Sequence, residues 1–291
     1  MGFSGEVRMS YFKHSIVLST HAASFEAVAL KGDFEANLAK IAGWGYDGVE
    51  LAVRNPDWLN WQELSEMIAS RGLKVPAIGT GQAWGEEHLS FTSAERVVRE
   101  AAVKRIRHQI ELARRFDALV IIGLIRGVTP QGQERTKSLQ NLVGSLRDCI
   151  ATASTYGVRM ALEPLNRYET DLVHTVDEGI ELIQEIGSPF LGLLLDTFHM
   201  NIEEASIEDS IIRAGKSIFH FHVADSNRMY PGSGHLNIAS ILQALRSAGY
   251  QGWISGEFMP IPDPDTASKR NIDFLRGVLT KKTSIKQKAE R

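Results

Sequence analysis

The sequence predicts one (β/α)₈ barrel: eight short β-rich runs alternate with longer amphipathic stretches, and several of those stretches stop at a glycine. Alternation of this kind favours parallel strands, because a crossover helix is what returns the chain for parallel pairing. The 291 residues suit a single barrel, for which about 250 is typical. A doubly wound open sheet would call for a Gly-rich dinucleotide loop after an early strand, and no GxGxxG follows one here.

The elements follow in order. His14–Ser19 is the first strand, and FEANLAKIAGWG after it is apolar at every third or fourth position up to Gly45. Gly48–Ala52 is the second strand, followed by WQELSEMIASRG. Val75–Gly79 is the third, with the long stretch AERVVREAAVKRIRHQIELARRF behind it. Leu119–Gly123 is the fourth, and ERTKSLQNLVGSLRDCIATASTYG ends at Gly157. Arg159–Glu163 is the fifth, with TVDEGIELIQEIG stopping at Gly187. Gly192–Asp196 and Ile218–Val223 are the sixth and seventh. IASILQALRSAGY leads to the eighth, Trp253–Glu257. One catalytic domain over residues 14–280 is therefore expected, with an N-terminal extension over 1–13 and a frayed basic tail over 281–291.

Bulk properties exclude several functions. The net charge of −3 argues against nucleic acid as a partner, which would call for a basic stripe. One cysteine, Cys149, allows neither an intrachain disulfide nor a Cys-based zinc cage, and its apolar helical context predicts burial. No apolar run reaches the roughly 20 residues of a membrane span, and the N-terminus lacks the apolar core of a signal peptide. No membrane partner and a cytoplasmic location are expected.

In such barrels chemistry sits at the C-terminal ends of the strands. Four consecutive late strands finish on ligand-type residues: Glu163, Asp196, His222 and Glu257, spaced by 33, 26 and 35 residues. Successive strand ends share one rim, so these side chains can converge. Three carboxylates brought together would repel unless a cation sat among them. One acid at a strand end reads as a helix cap or an ion-pair partner; four in register read as a metal site. Three hard oxygens and one imidazole suit one divalent ion, Mn²⁺ first, with Mg²⁺ or Co²⁺ as alternatives. His220 faces the same side as His222 but one layer deeper, as a hydrogen-bonded core histidine.

Bound to a ketone oxygen and a neighbouring hydroxyl, such an ion would polarise the carbonyl and make the α-proton removable. Glu163 and Glu257, from strands five and eight, are the candidate pair that removes and returns it on opposite faces. His199 and Arg228 are candidates for stabilising the developing oxyanion, and Glu169 for orienting a hydroxyl. The GSG turn after Arg228 reads as flexible.

ALEPLNRYET, LLLDTFHMNIEE, FHFHVADSNR and the closing Gly-Glu-Phe resemble the xylose isomerase-like sugar epimerase superfamily, especially the D-tagatose 3-epimerase group. The resemblance implies that Glu163, Asp196, His222 and Glu257 hold the metal, that Glu163 and Glu257 are the acid/base pair, and that Glu169, His199 and Arg228 contact substrate. IVLSTHAASFEAVALKGDF, AIGTGQAW and VIIGLIRG look like the branch that epimerises 5-keto-L-gluconate and D-tagaturonate in inositol catabolism. An epimerase of keto-acid sugars is thus expected. Arg126 is then a candidate for binding the carboxylate bidentately, with Lys31 as a second. Gln82 would bond a sugar hydroxyl and Trp84 would stack on or shield the sugar. Glu50 is open between binding a hydroxyl and pairing with a base.

The alternatives are a neutral ketose 3-epimerase, an aldose-ketose or hydroxypyruvate isomerase, and an inosose dehydratase-type lyase sharing the same first proton abstraction. An endonuclease IV-like hydrolase would need more strand-end histidines and a basic face. A non-catalytic sugar binder would need no complete acid/base and metal set. A homodimer or homotetramer is the expected assembly, formed through outer helices or loops.

Overall fold

The computed structural model describes residues 11–289, with side chains over 11–278. Eight parallel strands close on themselves in sequence order: β1 Lys13–Ser19, β2 Glu50–Ala52, β3 Ala77–Gly79, β4 Leu119–Ile122, β5 Met160–Leu162, β6 Leu191–Asp196, β7 Ile218–Val223 and β8 Trp253–Gly256. β1 pairs with β8, Lys13 opposite Trp253 and Ile16 opposite Gly256, which closes the ring. The barrel expected from the alternation is therefore present, each strand within two residues of its expected bounds. Glu163 and Glu257 fall one residue past the ends of β5 and β8.

The strands are bounded by helices whose ends the sequence marks. α1 (Phe34–Trp44) starts at Asp33, whose side chain accepts from the Ala36 N–H, and stops at Gly45 with φ 87°. α2 (Trp61–Ala69), α3 (Gln82–Glu87) and α4 (Arg96–Phe116) follow. α5 (Arg135–Tyr156) and α6 (Val176–Ile186) stop at Gly157 and Gly187, both left-handed. α7 (Thr197–Glu203), α8 (Ile207–Ala214), α9 (Ile238–Ser247) and α10 (Pro264–Ala289) complete the set. α3, α7, α8 and α10 were not among the expected helices. α10 runs through 281–289, so the segment expected as a frayed tail begins inside a helix; residues 290 and 291 lie outside the described residues, as do the first ten of the expected N-terminal extension.

The core divides as a barrel requires. Ala77, Leu119, Ile121, Ala161 and Leu194 fill the barrel interior, while residues such as Leu38, Ile41, Ile106, Ile110, Leu146 and Ile211 join the helices to the outside of the sheet. Cys149 is fully buried on α5, as its context predicted. Between β6 and β7 the register shifts: Leu193 faces Ile218 but Leu194 faces His220, so Phe219 is an extra residue on β7. Above this bulge Asp196 pairs with His222.

Candidate metal centre and active site

The four strand-end residues converge. One ligand atom from each of Glu163, Asp196, His222 and Glu257 lies within 4.8 Å of the others. Local chain geometry aims each of them. Asp196 is both the last residue of β6 and the cap of α7: Oδ1 accepts from the Phe198 N–H at 2.8 Å, leaving Oδ2 to face the centre. Thr197 Oγ1 donates to the Ala224 carbonyl at 2.6 Å and accepts from its N–H at 2.9 Å, locking the ends of β6 and β7 together.

Two of the candidate ligand atoms are buried without a hydrogen-bond partner among the described residues, Glu163 Oε1 and His222 Nδ1, 3.9 Å apart. His222 Nδ1 is also 3.7 Å from Glu257 Oε2. Buried polar atoms are nearly always paired, so two orphans facing one another at this spacing mark a place for a cation. The donor set fits a divalent ion of the Mn²⁺ or Mg²⁺ class. The field of the cluster says the same. Burial and then the Glu257 charge push Glu163 well above the usual carboxylate range. His222 is lowered by burial, but the Glu50 and Glu257 charges outweigh this and hold it well above the usual imidazole range. Glu257 moves the other way: burial raises it, and His222 and Arg228 more than offset that.

His222 has a second partner. Its Nε2 donates to Glu50, 3.0 Å from Oε1 and 3.1 Å from Oε2, while His220 Nε2 lies 2.8 Å from Glu50 Oε2. His220 is thus the hydrogen-bonded core histidine expected, and Glu50 pairs with imidazoles. Burial raises Glu50, but the two histidines hold it below the ordinary carboxylate range.

His199 and Arg228 stand beside the acids. Arg228 bridges Asp196 Oδ2 at 3.0 Å and Glu257 Oε2 at 2.5 Å, with its guanidinium 4.5 Å from the centre of the Phe198 ring. Asn166, which the sequence reading passed over, donates from its backbone and side-chain nitrogens to His199 Nδ1 at 3.3 and 2.7 Å. That leaves the proton on Nε2, 3.8 Å from Glu163 and 3.9 Å from Asp196. Burial, then the Arg228 charge, hold the ring well below the usual range and so neutral. Asn166 also donates to Glu169 Oε1 at 2.9 Å, and burial raises that carboxyl.

Above these groups lies a cavity of about 510 Å³, walled by Phe25, Val28, Leu124, Phe198 and Met259. Gln82 lines it: its Nε2 donates to Ser19 Oγ at 2.7 Å, and its Oε1 is buried without a partner. Three expected contacts are not on this wall. Arg126 is fully buried, because a 3₁₀ turn over Leu124–Arg126 folds it back onto the carbonyls of Gly123, Leu172 and Val173 at 3.2–3.3 Å. Burial lowers it to about 10. Lys31 Nζ donates to the carbonyls of Ala23 and Phe25. Trp84 sits two residues beyond Gln82 on α3, about 200° around the helix, and is half-buried elsewhere.

The GSG turn is anchored too. Asp225 accepts from the N–H groups of Ser226, Gly232 and Leu236 at 2.7–3.1 Å, and a Cβ at Gly234 would lie 2.3 Å from its Oδ1. This tied loop presents Arg228, itself left-handed at φ 60°, whose carbonyl accepts from the Met259 N–H at 2.8 Å.

A family model described as xylose isomerase-like TIM barrel matches residues 38–278. The chain is 31% identical to a D-psicose 3-epimerase of Enterocloster bolteae over 84% of this chain and 83% of that one. It is 30% identical to an L-ribulose 3-epimerase of Mesorhizobium japonicum over 82% of this chain and 80% of that one. A solved L-ribulose 3-epimerase superposes with a TM-score of 0.78 at 27% identity, covering 94% of this chain and 96% of that one. With a closed eight-stranded barrel, four convergent strand-end side chains and a match over most of its length, the chain belongs to the xylose isomerase-like TIM barrel family, among relatives that are sugar epimerases.

Proposed function

We propose that this protein is a divalent-metal-dependent epimerase that inverts the carbon next to the ketone of an open-chain keto sugar. The observation that carries the reading is the pair Glu163 and Glu257, brought from β5 and β8 to one centre within reach of His199 and Arg228. A divalent ion held by Glu163, Asp196, His222 and Glu257 would polarise the substrate carbonyl. One carboxylate of the pair takes the proton from the α-carbon, and the other returns one to the opposite face. The roles exchange in the reverse direction. The His199 Nε2–H and the Arg228 guanidinium stabilise the negative charge that develops on oxygen. Asn166 fixes the His199 tautomer and orients Glu169 toward a substrate hydroxyl.

Two substrate classes have specific support. The keto-acid class, 5-keto-L-gluconate or D-tagaturonate, is supported by the N-terminal resemblance, whose residues Phe25, Ala27 and Val28 form part of the cavity wall. The neutral ketose class is supported by relatives named for D-psicose and L-ribulose. It is supported also by charge: among the described residues Arg228 is the one Lys or Arg lining the cavity, and it already holds two acids.

The experiment is to incubate the Mn²⁺-loaded protein in D₂O with neutral ketoses and keto-acids and to score deuterium at the carbon beside the carbonyl. Exchange confined to one class assigns the substrate, and no exchange with any keto sugar overturns the reading. Glu257→Gln should abolish the exchange and lower turnover by about 10²- to 10⁴-fold.

A further inference from the structure

We propose that Glu50, held in turn by His220, is a positioning residue for the metal centre: it fixes the His222 ring with Nε2 protonated and Nδ1 bare toward Glu163, Asp196 and Glu257. The inference rests on the ligand set of the preceding reading and extends it to a residue outside that set.

The geometry comes from three fully buried side chains on strands that are not neighbours. Glu50 opens β2, while His220 and His222 lie two residues apart on β7, so both imidazoles face the barrel interior. The Glu50 carboxylate reaches across to both, with one oxygen 2.8 Å from His220 Nε2 and both oxygens 3.0–3.1 Å from His222 Nε2. An ionised carboxylate only accepts, so each imidazole must carry its proton on Nε2. In the neutral ring, the form in which an imidazole ligates a metal, His222 is thereby left with an unprotonated Nδ1, and that atom is the orphan facing Glu163 at 3.9 Å. A carboxylate behind a ligating histidine fixes its tautomer and orientation and raises its basicity as a ligand.

Glu50, His220 and His222 also form a cluster that could hold an ion of its own. The short contacts among them are those of hydrogen bonds, and His222 Nε2 is consumed by them. One metal per chain is therefore expected.

Mn²⁺ titrated into the full chain by calorimetry, for wild type, Asp196→Asn and Glu50→Gln, tests this. Wild type should take one equivalent and Asp196→Asn should bind far more weakly. Glu50→Gln should bind one equivalent about 10- to 100-fold more weakly than wild type. If wild type binds no Mn²⁺, the ligand-set reading fails. If wild type and Asp196→Asn behave as expected but Glu50→Gln keeps wild-type affinity, the ligand set stands and the role given to Glu50 falls. Two equivalents, one of them lost in Glu50→Gln, would make the Glu50 cluster a metal site and overturn the proposal. Nitrogen-15 NMR of the Mg²⁺-loaded wild type needs no variant: an Nε2–H tautomer at His222 is expected, and an Nδ1–H tautomer overturns the assignment.

Discussion

Arg228 and His199 lie 3.5 Å apart at their nearest nitrogens yet are held in different charge states. The guanidinium stays cationic because Asp196 and Glu257 surround it; the imidazole stays neutral because it is buried beside that cation. Removing the guanidinium would leave buried carboxylates uncompensated, which costs about 3–5 kcal/mol when a buried pair is broken. A divalent ion can take over that compensation. Arg228→Gln is therefore expected to lower the unfolding temperature strongly in chelator and much less in saturating Mn²⁺. Equal losses in both media would contradict it. At this scale the sequence was readable where a motif put several polar residues at strand ends: Glu163, Asp196, His222 and Glu257 do converge, and Glu169, His199 and Arg228 line the same cavity. It was not readable where the direction of one side chain depended on local winding. Arg126 follows a 3₁₀ turn inward, and Trp84 lies on the wrong side of a short helix. Glu50 was left open because its partners His220 and His222 are 170 and 172 residues away in sequence.

At the scale of elements, the strands were legible because most are short apolar runs closed by a polar or glycine residue, and the principal helices because their apolar period and their glycine stops agree. α3, α7 and α8 escaped because they are six to eight residues long, too short for a period to declare itself. The link from β4 to the centre has a strict requirement. Gly123 follows β4, and a Cβ there would lie 2.7 Å from Glu163 Oε2. Gly123→Ala should leave the barrel folded by circular dichroism but displace the Glu163 carboxylate. Mn²⁺ affinity is then expected to fall by about tenfold, the lower end of what disturbing a ligand's surroundings costs. Wild-type affinity in this variant would mean that the carboxylate has room to move aside.

For the molecule as a whole, stability in mild acid is tied to histidines folded away neutral. His14 on β1 is lowered by burial to about 4. Its folded value lies below its unfolded value of 6.5, so between those values the unfolded chain binds more protons. Stability is therefore full above pH 6.5 and declines as the pH falls toward about 4, by up to about 3 kcal/mol for this one group. Urea unfolding of wild type and His14→Asn across that range checks the sign. The wild-type curve should fall more steeply, and parallel curves would remove His14 from the account. A second whole-molecule property comes from the bulge at Phe219. Side chains on a strand alternate between faces, so a strand's polarity is a phase, and one extra residue resets it by half a cycle. With that residue bulged out of the ladder, His222 stands level with Asp196 and points inward. Were that residue instead taken into regular pairing opposite Leu194, Phe221 would move into the position of His222 and the imidazole would turn toward the surrounding helices. The proposed metal centre therefore depends on parity: the extra residue of β7 must stay bulged out of the ladder, and a sequence change that conserved every ligand but drew it into regular pairing would leave no site.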